Sequence, residues 1–262
     1  MGFSAEWLAL REPADHAARD SGLLRAAVTA AGPNPVIVDV GCGTGSSVRA
    51  LGPLLPEGTK WHLVDNDQAL LNRAGAEAGR GVTLHCQDIQ ELELLPLEGA
   101  TLITASALID IVSRQWLVDF AARVRVPFYC ALTYDGVMSW TPKDLRDSSV
   151  AAAFNAHQRG DKGFGQALGP DAVGAALEVF ANSGFEVAVA KSPWQLGPGD
   201  EVLHRELVAG IAGAAWEAGE GDALPWGETR TAAAGSALCV VGHQDILALP
   251  GTTVAGSVLA PR

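Results

Sequence analysis

Three glycines at alternate positions, Gly41, Gly43 and Gly45, are the part of this 262-residue chain best suited to binding chemistry. They follow the apolar, β-branched run Val36–Val40, which is typical of a buried parallel strand. Without Cβ atoms, the glycines let a tight turn bring its backbone against a ligand. A helix opening at about Ser46 would direct N–H groups and positive dipole toward the same ligand. The pattern predicts the first strand–turn–helix unit of a nucleotide-binding α/β domain.

Acidic residues end two further strand-like runs. Asp65 ends the run Trp61–Asp65 and stands 20 residues after Gly45, about where an open α/β fold places a carboxylate for a ribose diol. An ionised aspartate suits that role because both of its oxygens accept hydrogen bonds. Asp88 follows the next run, whereas Asp67 is typical of the N-cap of the helix that comes after it. For Asp65 and Asp88 the alternative is a solvated acid in a turn.

The stretches from about residue 30 to 135 together resemble the class I S-adenosylmethionine-dependent methyltransferases. Asp39 and the three glycines match the family's first motif, Asp/Glu-x-Gly-x-Gly-x-Gly, at every fixed position. Dinucleotide-binding folds prefer Gly-x-Gly-x-x-Gly, and Ser46 stands where their third glycine would be. The resemblance implies a Rossmann-like α/β fold, with a seven-stranded, mostly parallel sheet, helices on both faces and helical cap insertions. Many relatives carry an acid just before the fourth strand, where this chain has Ala100 and Thr101.

The resemblance also implies roles for single residues, with S-adenosylmethionine as the cofactor and S-adenosylhomocysteine as its product. Asp65 would bind the ribose, Asp88 the adenine amino group, and Ile89 would lie against the adenine ring. Arg11 would meet the methionine carboxylate, since a guanidinium pairs bidentately with a carboxylate; a surface arginine is the alternative. The residues predicted to bind the cofactor are Arg11, Asp39, Gly41, Cys42, Gly43, Thr44, Gly45, Asp65, Asn66, Gln87, Asp88, Ile89 and Ser106.

The chain divides into a central domain with additions at several places. Residues 1–31 are predicted to form a helical segment covering the cofactor site, and 32–250 the methyltransferase domain. Insertions at about 135–169 and 191–236 are predicted to cap the substrate, and 251–262 to form a C-terminal tail. The first insertion holds a glycine-rich loop too long for a simple connection, and such loops are usually lids or binding loops. Four tryptophans of the insertions would either line the substrate pocket or pack a core; they are Trp140, Trp194, Trp216 and Trp226.

Methyl transfer is an in-line displacement, so the acceptor atom must lie behind the methyl group. A neutral acceptor must also lose a proton, and the candidate bases are His157, Asp135 and Tyr134. The ordinary pKa of a histidine suits a base near neutral pH, although His157 is equally consistent with an exposed histidine on a helix. A reaction without a dedicated base is a further alternative.

Composition narrows the class of acceptor. The formal net charge of −12 disfavours a nucleic-acid substrate, because phosphate binding needs a basic face. Four cysteines without a Cys-x-x-Cys pair predict reduced, mostly buried thiols and no metal site. With no leader and no apolar run of membrane-spanning length, the chain is expected to be cytoplasmic. The sequence therefore predicts methyl transfer to an O, N or S atom of a small molecule. An NAD(P)-dependent oxidoreductase and a non-catalytic binding module are the alternatives.

Overall fold

Strands and helices alternate through most of the chain, as expected for an α/β fold. A computed structural model describes residues 4–78 and 81–251. The helices are α1 (Ala5–Ala18), α2 (Ser21–Ala30), α3 (Ser46–Leu51), α4 (Gln68–Ala78), α5 (Arg114–Ala121), α6 (Asp147–Gln158), α7 (Ala172–Asn182), α8 (Glu201–Glu217) and α9 (Ala223–Ala233). The strands are β1 (Val36–Val40), β2 (Lys60–Asp65), β3 (Val82–Cys86), β4 (Leu102–Ser106), β5 (Phe128–Thr141), β6 (Phe185–Lys191), β7 (Trp194–Leu196) and β8 (Leu238–Pro250).

The strands form one sheet in the order β3-β2-β1-β4-β5-β8-β6, with β7 paired to β8. Strands β1 to β5 pair in parallel, and β8 runs antiparallel to β5, β6 and β7. The Rossmann-like, mostly parallel sheet of seven strands is confirmed, and β7 adds a short eighth strand. The chain runs from β1 to β2 and β3 on one side and then crosses to β4 on the other side of β1, so the strand order reverses between β1 and β4. Ligands of open α/β sheets bind in the crevice that this reversal creates at the carboxyl ends of the strands.

Strands β5 and β8 are longer than the sequence suggests, which predicts them over about 128–134 and 237–242. They pair from Phe128 to Thr141 across two register shifts. Leu132 lies at φ +58° and Gly136 at φ +84° along this irregular stretch. The first insertion therefore leaves the sheet only after Thr141, and residues predicted at a strand end lie inside a strand.

Each face of the sheet carries its own core. Ile37 of β1 packs with residues of α2, α3 and α4, whereas the next residue, Val38, packs with α5 and α7. This alternation follows from the two-residue period of a strand, which sends neighbouring side chains to opposite faces. Helices therefore cover both faces, as predicted, and hold the carboxyl ends of the strands in place. Within the described residues, no helix has both the length and the apolar character that crossing a membrane requires.

The two insertions share a third core. Trp140, Trp194 and Trp226 are buried in it together with apolar residues of α6 and α8. The packing interpretation thus holds for these three tryptophans, while Trp216 is 57% exposed. Sequence analysis did not predict α9, whose first half contains Pro225 and the poor helix former Gly227.

The N-terminal segment forms helices α1 and α2, which meet at Asp20. The Asp20 N–H donates to Oδ2 of buried Asp245 at 2.9 Å, and Trp194 donates to Oδ1 of Asp15 at the same distance. Near the middle of α1, Arg49 of α3 donates to Oε2 of Glu12 at 2.7 Å. Helix α1 is thus fastened both to β7 and to the helix that follows the glycine turn. Apart from Gly251, the predicted tail over 251–262 lies outside the described residues.

Candidate active site

The glycine turn between β1 and α3 needs glycine for both its conformation and its surroundings. Gly41, Gly43 and Gly45 lie at φ values of +68°, +53° and +87°, in the left-handed region that other residues rarely adopt. A Cβ on Gly43 would stand 3.2 Å from Cδ1 of Leu8 in α1. One on Gly45 would stand 3.3 Å from Cβ of Ala74 in α4. The turn therefore leaves little room for side chains at Gly43 and Gly45, and its close approach to a ligand stays a prediction.

Asp65, at the end of β2, is held against the glycine turn by backbone hydrogen bonds. The Gly43 N–H donates to its Oδ2 at 2.8 Å, and the Asp67 N–H donates to its Oδ1 at 3.0 Å. Each oxygen retains lone-pair capacity for a hydroxyl donor. Asp67 caps α4 as predicted, since its Oδ1 accepts from the N–H groups of Ala69 and Leu70. The turn and the carboxylate therefore form one preorganised unit.

A cavity of about 240 Å³ opens beside this unit, at the carboxyl ends of β1 to β4. Its polar walls include Asp65 and Asp88, and its apolar walls include Ile89, Leu108 and Phe164. Six of the residues predicted to bind the cofactor line it: Gly41, Gly43, Asp65, Asn66, Asp88 and Ile89. Leu8 and Lys162 line it as well, and sequence analysis did not predict them there because their elements lie far away along the chain.

A second, smaller cavity of about 70 Å³ continues along the turn, and Leu8 and Gly43 line both. Four predicted residues border it, namely Arg11, Cys42, Thr44 and Ser106. The Arg11 guanidinium donates to both oxygens of Asp15, at 2.9 and 3.1 Å, and lies 5.0 Å from the ring centroid of Trp194. Arg11 is thus fixed beside the turn; its contact with a ligand carboxylate stays a prediction.

Three of the predicted residues line neither cavity: Asp39, Gly45 and Gln87. The buried carboxylate of Asp39 accepts from Oγ1 of Thr104 at 2.7 Å. Buried Arg19, which the sequence analysis missed, lies nearby and donates to Oγ of Ser106 at 3.1 Å. Asp39 therefore supports the turn from beneath, between β4 and the N-terminal helices.

The burial of Asp39 predicts a pH dependence of stability. Burial raises the pKa of this carboxyl from 3.8 to about 6, against the opposing effect of the Thr104 and Ser47 hydroxyls. Between these values the folded chain retains a proton that the unfolded chain releases, so the free energy of unfolding falls as the pH rises. The full shift corresponds to about 3 kcal/mol. Asp39→Asn has no titrating carboxyl at this position, so its free energy of unfolding should not fall in this way. Between about pH 4 and about pH 7, the stability of the variant relative to the wild type should therefore rise by about 3 kcal/mol. Urea unfolding of the ligand-free proteins across this range measures the difference, and parallel profiles would contradict it.

A third cavity, of about 480 Å³, lies between α1, α6 and α8. Its walls are mainly apolar and include Trp7, Phe154 and Ile211. Ile111 and Lys162 line both this cavity and the 240 Å³ cavity beside the glycine turn. The two spaces therefore adjoin, and the glycine-rich loop after α6 borders both of them.

Comparison with known proteins agrees with this geometry. Residues 37–126 match a family model described as a methyltransferase domain. This segment, from β1 to just beyond α5, is therefore similar to a methyltransferase domain, in agreement with the resemblance of the sequence motifs. The YcgJ protein of Bacillus subtilis is similar in structure, with a TM-score of 0.54 and 13% identity over 88% of this chain and 97% of that one. The cyclopropane synthase MmaA2 of Mycobacterium tuberculosis has a TM-score of 0.52 and 14% identity over 94% of each chain. The search of curated proteins found no match.

Of the three residues predicted to act as a base, the structure brings only His157 to the 480 Å³ cavity. Its Nε2 lies 3.1 Å from Oε2 of Glu217, and Lys162 Nζ lies 3.4 Å from its Nδ1. Tyr134 is buried behind Phe154, where its hydroxyl donates to Oδ1 of Asn155 at 2.7 Å. Burial also raises the pKa of the Tyr134 phenol, which weakens it as a proton donor.

Asp135, like Tyr134, does not line the 480 Å³ cavity. Its Oδ1 accepts from the Val137 N–H at 3.1 Å and its Oδ2 from Gln244 Nε2 at 3.3 Å. Both residues were expected at the end of β5, at the ligand edge of the sheet. Since β5 continues to Thr141, they lie within the strand pair β5–β8 instead.

Proposed function

We propose that this methyltransferase transfers a methyl group from S-adenosylmethionine to a small molecule held in the 480 Å³ cavity. The observation that carries the proposal is the junction of two spaces at Ile111 and Lys162. The 240 Å³ cavity, here called the nucleoside space, has the glycine turn and the acids Asp65 and Asp88, which suit a nucleoside. The larger, mainly apolar 480 Å³ cavity is called the acceptor space. A donor and an acceptor bound in adjoining spaces meet the first requirement of a displacement, which is the positioning of the two reactants.

The residues present fit the proposed cofactor in charge and shape. The two oxygens of Asp65 offer acceptors to a ribose diol, and Ile89 and Leu108 offer apolar surface to a purine ring. The smaller cavity offers the Arg11 guanidinium and the Ser106 hydroxyl to the polar groups of an amino acid. A positively charged sulfonium suits this surrounding, because Asp65 and Asp88 add negative charge at the same edge of the sheet.

S-adenosylmethionine, when bound, supplies a methyl group that needs no further activation. The protein must therefore orient the acceptor, exclude water and remove a proton where the acceptor carries one. We propose that the imidazole of His157 accepts this proton. Oε2 of Glu217 lies 3.1 Å from Nε2 of His157 and orients the ring. We assign water exclusion to the loop between α6 and α7, because its Lys162 and Phe164 cover the nucleoside space. This loop was expected to cover the substrate alone, but its position implies that removing it would weaken cofactor binding as well.

The cofactor assignment predicts a simple titration result. We expect S-adenosylmethionine and S-adenosylhomocysteine to bind the purified protein with micromolar affinity, about −8 kcal/mol, and NAD to give no heat of binding. Isothermal titration calorimetry with the three ligands measures this. Binding of NAD alone would instead support the oxidoreductase. Binding of the adenosyl compounds, without methyl transfer to any metabolite tested, would support the non-catalytic module.

A further inference from the structure

We infer that the acceptor is a largely apolar molecule whose nucleophile is an ionised oxygen, a carboxylate or a phenolate, held by Lys162. The inference rests on the proposed function and adds the chemical class of the substrate. Its basis is the contrast between the apolar walls of the 480 Å³ cavity and the cation at its junction with the nucleoside space.

The walls of the cavity select an apolar body. Trp7 of α1, Phe154 of α6 and both Leu207 and Ile211 of α8 present apolar side chains to it. A volume of about 480 Å³ lies within the range of pockets that bury a small organic molecule. Burial of apolar surface contributes roughly 25 cal/mol per Å², so these walls favour an aromatic or long aliphatic acceptor over a polar one.

Lys162 is the cation available to an anionic group of that acceptor. Its Nζ donates to the carbonyl oxygen of His157 at 3.3 Å and lies 3.4 Å from Nδ1 of the same residue. Over residues 4–78 and 81–251, no carboxylate forms a salt bridge with it inside the 4.0 Å limit. By contrast, Arg11 and Arg49 beside the glycine turn already pair with Asp15 and Glu12.

The position of Lys162 also suits the transfer. It borders both the nucleoside space and the acceptor space, so an oxygen bound to its ammonium lies where the two meet. The oxygen lone pair forms the new O–C bond while the C–S bond breaks and its electron pair stays on sulfur. A carboxylate needs no proton removed, whereas a phenol gives its proton to His157. The ammonium favours the ionised acceptor, because a nearby opposite charge lowers the pKa of an acid.

A matched panel of acceptors tests the inference. Carboxylic acids, phenols, primary amines and thiols on the same aromatic or long aliphatic skeletons are incubated with the protein and methyl-labelled S-adenosylmethionine. We expect methyl esters from the acids or methyl ethers from the phenols, and the two arms distinguish these sources of the anionic oxygen. Methylation of the amines alone would overturn the inference and favour Glu206, the acid that lines the cavity from its exposed side. If S-adenosylmethionine binds but no acid or phenol is methylated, the inference fails while the cofactor assignment stands.

Lys162→Met and Lys162→Arg test the role of the charge. We expect Lys162→Met to lower kcat/KM for the best acid or phenol by about 10- to 100-fold, the size expected for a lost hydrogen bond to a charged group, and Lys162→Arg to retain most activity. For a phenol, the pH profile of Lys162→Met should also move to higher pH, which a purely structural role would not cause. Because Lys162 also borders the nucleoside space, cofactor affinity is measured separately. Equal loss in both variants, or no loss in either, would contradict the assignment.

Discussion

Replacing Asp65 by alanine is expected to weaken S-adenosylmethionine binding by at least about 100-fold. If Asp65 binds the ribose as proposed, two hydrogen bonds from ribose hydroxyls to its carboxylate are lost, and bonds to charged groups contribute about 1.5–3 kcal/mol each. The Gly43 N–H also loses its acceptor at 2.8 Å, so the glycine turn becomes less well ordered before the ligand arrives. Calorimetric titration of both proteins with S-adenosylmethionine and S-adenosylhomocysteine measures the effect.

Two variants make the result specific to the site. Asp119→Ala removes the same charge from the exposed face of α5, away from the glycine turn, and is expected to leave affinity unchanged. Asp65→Asn keeps the shape of the side chain but removes its charge, so its affinity should lie between those of the wild type and Asp65→Ala. If Asp65→Ala binds the cofactor as tightly as Asp119→Ala does, the ribose is held elsewhere.

The sequence was most informative where function depends on local geometry. A glycine turn needs positive φ angles at fixed spacing, and Gly41, Gly43 and Gly45 all show them. Asp65 was predictable because acids at the carboxyl ends of parallel strands share one edge of the sheet. These features depend on neighbours in the chain or on the regular order of the strands, so no side-chain packing had to be known in advance.

Features set by distant contacts were less predictable. Tyr134 and Asp135 looked suitable as bases because the sequence suggested that β5 stops beside them. The antiparallel partner β8 instead draws β5 on to Thr141 through two register shifts. The position of Arg19 beside the glycine turn was also not predictable from neighbouring residues. It depends on Ser106 of β4 and Asp39 of β1, which the fold brings to Arg19. Tertiary pairing therefore decided these positions, and no local pattern records it.

Replacing Arg230 by methionine is expected to destabilise the fold by about 3–5 kcal/mol, because it leaves a carboxylate without its partner in the core shared by the two insertions. Arg230 of α9 is 3% exposed and donates from Nη2 to both oxygens of Asp147, at 2.5 and 2.6 Å. Its Nη1 donates to the carbonyl oxygen of Pro142 at 2.7 Å. Trp226 donates to the same carboxylate at 2.9 Å, so the pair joins the start of α6 to α9. Urea unfolding of the two proteins measures the loss.

Two control variants show whether the loss of stability is specific to the ion pair between Arg230 and Asp147 or follows from removing any positive charge. Arg146→Met breaks the more exposed pair between Arg146 and Asp144, and should cost only about 0–1 kcal/mol. The double variant Asp147→Asn/Arg230→Met removes both charges of the pair and should recover part of the stability that Arg230→Met loses. Phe154 and His157 of α6 line the 480 Å³ cavity in which we propose the acceptor binds. Loss of the contact between Arg230 and α6 should therefore weaken acceptor binding more than cofactor binding. Equal destabilisation by Arg146→Met and Arg230→Met would show that the insertions are held by their apolar core alone.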